Sequence, residues 1–373
     1  MQTSLKAICV FDSLCKRLHC GVQALTFIKS NKWEIIMRDS NRPSLEDVAA
    51  LAGVSTASIS RCINSPQKVA EPTRQRIQNA IETLGYVPHF GGRALARNRT
   101  NTIGAIIPTM DNAMFASGLQ AFQETLSAAG VTLLVGSSNY DPDQEFDAIR
   151  SLLSQGADGL LLIGAARPEK TQAFLTQHAV PHVLAWCCPK IGHSPSVGFD
   201  NQKSGHDITA HVLAHGHLKL AVICGLREGN DRATARVVGI KQAIASQSDA
   251  QLLGLEECKY SFEEAGAAFA QLLTGPEKPS AVICGSDVLA VGALLQARKM
   301  GLRVPEDISI TGFDDISLAQ VTTPSLTTVR VPQHSMGRKA AEVLLALLNQ
   351  EPGQNLRHEL MTTIIDRGTL ARI

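Results

Sequence analysis

The chain has 373 residues, a formal net charge of +1, 44% hydrophobic and 18% charged residues. That length supports two or three domains with full cores, and the composition excludes a disordered or fibrous chain. The near-neutral charge excludes a uniformly basic protein, so any surface for nucleic acid must be local, and the lack of an apolar run of about 18 residues excludes a membrane-spanning helix.

Residues 1–42 form an extension. Its apolar pieces, "AICVF" and "GVQALTFI", are broken by Lys6, Asp12, Lys16 and Arg17. They make no continuous hydrophobic region and no cleavage site, so a secretory signal is not expected. Patterned sequence begins after Met37, which suggests that Met37 is the natural start. The extension is then expected to be disordered or not native.

The stretch "SLEDVAALAGVSTASISRCIN", residues 44–64, reads as two short helices. Ser44 is placed as N-cap, with Asp47 three residues on completing a capping box. Val48, Leu51 and Ala52 fall on one face, and Ala49 is small where two helices would cross. Gly53 stands where a helix ends with positive φ, which glycine adopts at least cost. Val54 turns inward and Ser55 caps a second helix from Thr56 to about Asn64. Ile59 and Ile63 face the core there, whereas Thr56, Ala57, Ser60 and Arg61 point away. This is a helix-turn-helix whose second helix is exposed and polar. Hydroxyls and helix N-terminal N–H groups suit phosphate oxygens, and an arginine pairs with guanine for about 1–3 kcal/mol of discrimination. A plain helical hairpin is the alternative. Across residues 43–100, seven Lys/Arg face four acids, a local excess of +3 where phosphates would be met.

Residues 88–101, running through "PHFGGRALARNRT", are basic, carry Gly91 and Gly92, and read as a hinge. From residue 102 onward, runs such as "TIGAIIPTM", "GVTLLVGSSN", "GADGLLLIGA", "VPHVLAW", "HLKLAVICG", "SAVICGSD" and "DISITGFDD" alternate with helix-length segments. That alternation predicts an α/β body of parallel sheets with helices on both faces, in two subdomains. "AVICG" occurs at 221–225 and 281–285, read as two strands in similar buried slots rather than as a repeat.

Nine cysteines with no C-x-x-C pair point to reduced, largely buried thiols in a cytoplasmic protein. His206, His211, His215 and His217 include one i,i+4 pair able to grip a metal. No Cys or Glu nearby completes a set, so a solvated helix face is favoured and neither metal nor cofactor is expected. No G-x-G-x-x-G, G-x-x-x-x-G-K-[ST], G-x-S-x-G or H-E-x-x-H occurs, so an enzyme is not expected.

"RPSLEDVAALAGVSTASISRCIN" and "VAEPTRQRIQNAIETLGYVP" together resemble the N-terminal domain of the lactose-repressor (LacI/GalR) family of bacterial transcription regulators. The resemblance continues through "TIGAIIP", "ADGLLLIG", "SVGFDN", "HGHLKLAVICG", "GLRVPEDISITGFDD" and "PSLTTVRVP", and so covers nearly all of the chain from Arg42. It implies an all-α helix-turn-helix domain at 43–87, a hinge at 88–101, and a periplasmic-binding-protein-like core at 102–373. The core would be two doubly wound subdomains, one about 102–200 plus 332–360 and the other about 201–331. The implied function is a homodimer, with a tetramer left open, that binds palindromic double-stranded operator DNA under the control of a sugar, sugar acid or nucleobase-like effector, in the bacterial cytoplasm at the nucleoid. The alternative is a ligand-binding protein of the periplasmic type without a DNA role.

Residue by residue, the resemblance implies base contacts from Thr56, Ala57 and Arg61. Ser44, Ser55, Ser58, Asn64, Arg93 and Arg97 would meet phosphates. Leu95 would wedge into the minor groove, unstacking one base step to bend the duplex. Gly91 and Gly92, where the chain departs from its relatives, lower the helix propensity of the hinge, so it is expected to order only on DNA. Arg236 and Asp314 match effector-binding positions, and Met114, Phe115, Trp186 and Ser286 are placed around the same cleft. For the two aromatic rings, a core role is the competing reading.

Overall fold

The computed structural model describes residues 43–87, 99–111, 113–190, 192 and 194–373. The extension and residues 88–98, with Arg93, Leu95 and Arg97, lie outside them, as does the Asn64 side chain. The chain divides into two compact units, residues 1–93 and 94–373.

Residues 43–87 of the first unit are helical. Helices α1 (Leu45–Ala52), α2 (Thr56–Asn64) and α3 (Glu71–Leu84) are joined by the Gly53 turn and a short 3-10 turn at Pro66–Lys68. Ser44 Oγ accepts from the Asp47 amide at 3.2 Å and the Asp47 carboxylate accepts from the Ser44 amide at 2.7 Å, so the capping box closes in both directions. Gly53 takes φ 64°, which ends α1 in the left-handed region. Val48, Ala49, Ala52, Ile59, Cys62, Ile77, Ala80 and Tyr86 make the buried core. Leu51 does not join it and is 54% exposed. At about 100° per residue, Val48, Ala52, Leu45 and Ala49 span one arc, and Leu51 falls about 110° from its centre.

The second unit holds two six-stranded sheets. The first is ordered β11-β5-β4-β3-β1-β2, where β1 is Thr102–Ile107, β2 Thr132–Ser137, β3 Gly159–Ile163, β4 His182–Ala185, β5 Ser196–Gly198 and β11 Arg357–Glu359. The second is ordered β12-β10-β9-β8-β6-β7, where β6 is Lys219–Gly225, β7 Gln251–Cys258, β8 Ala281–Cys284, β9 Ser309–Asp314, β10 Thr327–Arg330 and β12 Thr363–Ile365. Every pairing is parallel except β10 with β12. Central strands β1, β3, β8 and β9 are buried along their whole length, as the unbroken Val, Ile and Leu runs require when helices cover both faces. The two "AVICG" segments are the neighbouring strands β6 and β8.

The chain passes between the sheets three times: after β5, after β10 and after β11. The last pass returns residues 363–365 to the second sheet as its edge strand. Among the described residues no helix is long and apolar enough to cross a membrane. Cys62, Cys187, Cys224, Cys258 and Cys284 are buried free thiols and Cys188 is half-buried.

Candidate functional site

In the helical unit the site is the outer face of α2. Ser55 Oγ accepts from the Ser58 amide at 3.2 Å and lies 3.0 Å from Ser58 Oγ, so both hydroxyls shape the start of the helix. Ile59 and Cys62 point into the core, which leaves Thr56, Ala57, Ser60 and Arg61 exposed. Among the described residues no carboxylate pairs with Arg61. A helix start with open N–H groups, a hydroxyl-bearing face and an unpaired guanidinium suits an anionic partner. Ser44 is half-buried; its oxygen accepts the capping-box bond, which leaves its O–H able to donate to a phosphate.

In the second unit the site lies where the carboxyl ends of the two sheets meet, as in other open α/β sheets. Helix α8 (Asp231–Ala245) follows β6 and carries Arg236, which is buried rather than on the helix surface. Its Nε donates to Asn201 Oδ1 at 2.8 Å, its Nη1 donates to the Gly285 carbonyl at 2.6 Å, and its guanidinium lies 4.0 Å over the Phe313 ring. Asn201 opens helix α7 (Asn201–Ala214) and also donates to the Trp186 carbonyl at 2.9 Å, tying the arginine to the end of β4 in the other half. Helices α7 and α8 cross closely; a Cβ at Gly239 would overlap the Gln202 carbonyl.

Asp314 ends β9. It is buried, its φ is 114°, and neither carboxylate oxygen has a hydrogen-bond partner. A backbone strained into that region and an unsatisfied carboxylate persist only where surroundings impose them, most often at functional sites. Burial raises the Asp314 carboxyl to about 7, with Arg236, Ser286 and Arg232 pulling the other way. Its neighbour Asp315 has the structural task instead, pairing with Arg330 at 2.6 Å and Arg367 at 2.7 Å. Asp287 below is also pushed well up, by burial and then by the Asp314 charge. A cavity of about 510 Å³ borders Asp314 and is lined also by Ser117, Arg330, Gln333 and His334.

Across the cleft mouth, Tyr140 of the first half stacks on Tyr260 of the second, centroids 5.3 Å apart. The Ala165 amide donates to Asp231 Oδ2 at 2.8 Å, a second bond between the halves. Burial raises both phenols. Tyr140 senses Arg232, Asp314 and Arg236, so these groups share one electrostatic neighbourhood.

Of the positions expected here, the structure brings Arg236, Asp314 and Ser286 together. Ser286 is fully buried and caps helix α10 (Asp287–Lys299), accepting from the Val288 amide at 3.3 Å. Met114 and Phe115 lie on the buried face of helix α4 (Ala113–Ala128). Phe115 meets Trp186 edge-on at 5.4 Å, and both rings join the apolar core. Trp186 keeps two marks of local constraint, a φ of 59° and a buried Nε1 without a partner. Sequence reasoning missed Asn201, Tyr140, Tyr260 and Asp231. The two tyrosines were within reach: they are two of only three in the chain, and each sits just past the end of a strand.

The histidine segment needs correction. His217 is not on a solvated face; it is buried, its ring nitrogens 3.0 Å from Ser280 Oγ and from the Ala371 carbonyl. For His211 and His215 the third group that sequence reasoning did not find is Asp366, from the far end of the chain.

Residues 44–89 match the family of bacterial regulatory proteins, lacI family, and residues 209–370 match the periplasmic binding protein-like domain. The HTH-type transcriptional repressor CytR of Escherichia coli (strain K12) is 35% identical over 317 residues, covering 84% of this chain and 91% of that repressor. The HTH-type transcriptional repressor PurR of Vibrio atlanticus (strain LGP32) is 30% identical over 332 residues, covering 88% and 98%. Among solved structures, a LacI family transcriptional regulator from Silicibacter pomeroyi superposes with a TM-score of 0.81 at 25% identity, over 88% of this chain and all of the other. The lac repressor dimer bound to operator and an anti-inducer shares the fold at a TM-score of 0.77 and 23% identity, over 88% of this chain and 99% of that one.

Proposed function

Because this chain belongs to the lacI family of bacterial regulatory proteins and is a DNA-binding transcriptional regulator with an effector domain, we propose that it acts as a repressor. It binds a palindromic operator as a homodimer, in the cytoplasm at the nucleoid, under the control of a small molecule held between the two halves of residues 94–373. A tetramer is the alternative assembly. Thr56, Ala57 and Arg61 read base edges in the major groove, while Ser55, Ser58, Asn64, Arg93 and Arg97 hold phosphates. Leu95 enters the minor groove.

The observation that carries the effector reading is the Asp314 carboxylate, buried with neither oxygen in a formed hydrogen bond while it feels the Arg236 charge and the Ser286 hydroxyl. A ligand that donates hydroxyl or amine hydrogens to it repays the desolvation, and rings at the cleft supply flat apolar contact. That chemistry favours a sugar or a nucleobase-like ring over a sugar acid, whose own carboxylate would face Asp314. Effector occupancy and DNA affinity are coupled by whatever differential affinity the ligand has for the two core states.

The test selects binding sites from random duplexes with purified protein, then repeats the measurement while sugars, sugar acids and nucleosides are added. A two-fold symmetric motif whose occupancy shifts with one ligand class supports the reading. Binding without sequence preference, under every ligand condition, refutes it.

A further inference from the structure

We propose that the second subdomain carries a divalent transition-metal site formed by His211, His215 and Asp366. His211 and His215 lie one turn apart at the end of α7, and Asp366 follows β12, the edge strand of the same subdomain. The ligand atoms of all three lie within 4.8 Å of one another.

Three features separate this cluster from an ordinary surface ion pair. His215 Nδ1 lies 2.8 Å from the His211 carbonyl. A carbonyl accepts only, so Nδ1 bears the hydrogen and Nε2 of the neutral ring presents its lone pair, the orientation that ligating histidines take from such a bond. His211 Nε2 is buried and has no hydrogen-bond partner. Asp366 Oδ2 sits 3.4 Å from His211 Nε2 and 3.8 Å from His215 Nε2, ion-pair distances longer than a well-formed hydrogen bond. Two atoms bound tetrahedrally to one ion at about 2.0–2.2 Å are separated by about 3.3–3.5 Å, close to those distances. With His211 also neutral and its Nε2 lone pair turned to the carboxylate, the three donors face a common point that a cation would fill.

The donor set of two imidazoles and one carboxylate suits zinc and its relatives nickel and cobalt rather than calcium or magnesium. Thr327 Oγ1 donates to Asp366 Oδ1 at 3.3 Å, steadying the carboxylate from behind. Asp366 is half exposed, which leaves a fourth position open to water. The ion would fasten α7 to the returning C-terminal segment, where the Ile373 amide also donates to the His215 carbonyl at 2.9 Å. Since α7 begins with Asn201, the residue that orients Arg236, the clamp braces one wall of the effector pocket.

The experiment uses untagged full-length protein, stripped with chelator and titrated with Co2+ and Zn2+. Expected are a visible cobalt spectrum of the four-coordinate type, one equivalent of Zn2+ per chain by calorimetry, and a melting temperature raised by several degrees. H211Q/H215Q and, separately, D366N should lose that equivalent, while H206Q, an exposed histidine on the same helix, should keep it. Circular dichroism checks that each variant is folded. Absence of the cobalt spectrum in the parent protein overturns the proposal. So does a spectrum that survives H211Q/H215Q or D366N, because the ion would then sit elsewhere, on the thiols for example.

Discussion

Replacing Asp314 by Asn should stabilise the ligand-free core and weaken its hold on the effector. The folded carboxyl titrates at about 7 against an ordinary 3.8. A carboxyl raised in this way keeps its proton in the folded state through that window while the unfolded chain has already lost it. Stability is therefore fully present below pH 4 and declines as pH rises to about 7. One pH step within the window is about 1.4 kcal/mol, so near pH 8 the carboxylate costs the fold roughly 4 kcal/mol relative to a neutral group, and near pH 5.5 roughly 2 kcal/mol. Asn suits the test because it is neutral, similar in shape and tolerant of the positive φ at this position. Asp287 does not oppose the gain, since its own rise is due in part to the Asp314 charge. Urea denaturation of both proteins near pH 8 and near pH 5.5 measures the gap. D314N should also bind effector roughly ten- to a hundred-fold more weakly, the loss of one charge-assisted hydrogen bond of about 1.5–3 kcal/mol. If the variant is no more stable than the parent near pH 8, or the gap fails to narrow as pH falls, Asp314 is not an uncompensated buried acid.

Arg61→Ala should relax preference at one base position by about 1–3 kcal/mol, whereas Arg97→Ala should weaken all duplexes alike and lower the salt slope by about 1; anisotropy titrations across a salt series separate the two. Ile59→Ala removes a fully buried side chain from a very small core. It should cost about 2–5 kcal/mol, seen as an early helical melt while the transition of the larger unit stays in place. In Gly239→Ala the new methyl meets the Gln202 carbonyl and must push α7 from α8. The expected cost is about 1–3 kcal/mol with a loss of effector affinity, and a variant matching the parent in both would show that Arg236 does not depend on that crossing.

What the amino-acid order determined by itself is whatever is local along the chain. The Ser44–Asp47 box, the Gly53 turn and the Ser55 cap each involve residues within three or four positions, so the physics that shapes them is written in adjacent letters. The buried parallel strands were legible for a similar reason, since covering both faces of a sheet demands a continuous apolar run. Arg236 and Asp314 were reached through family resemblance, because nothing near either one in the sequence states that they share an electrostatic neighbourhood. Only the tertiary structure decided what depends on convergence. It moved the Phe115 and Trp186 rings into the core, set Tyr140 against Tyr260, made Asn201 the link between the halves, and delivered Asp366 to His211 and His215. Those contacts join segments far apart along the chain or cross from one sheet to the other, and their geometry follows from the order of strands, which no local pattern encodes.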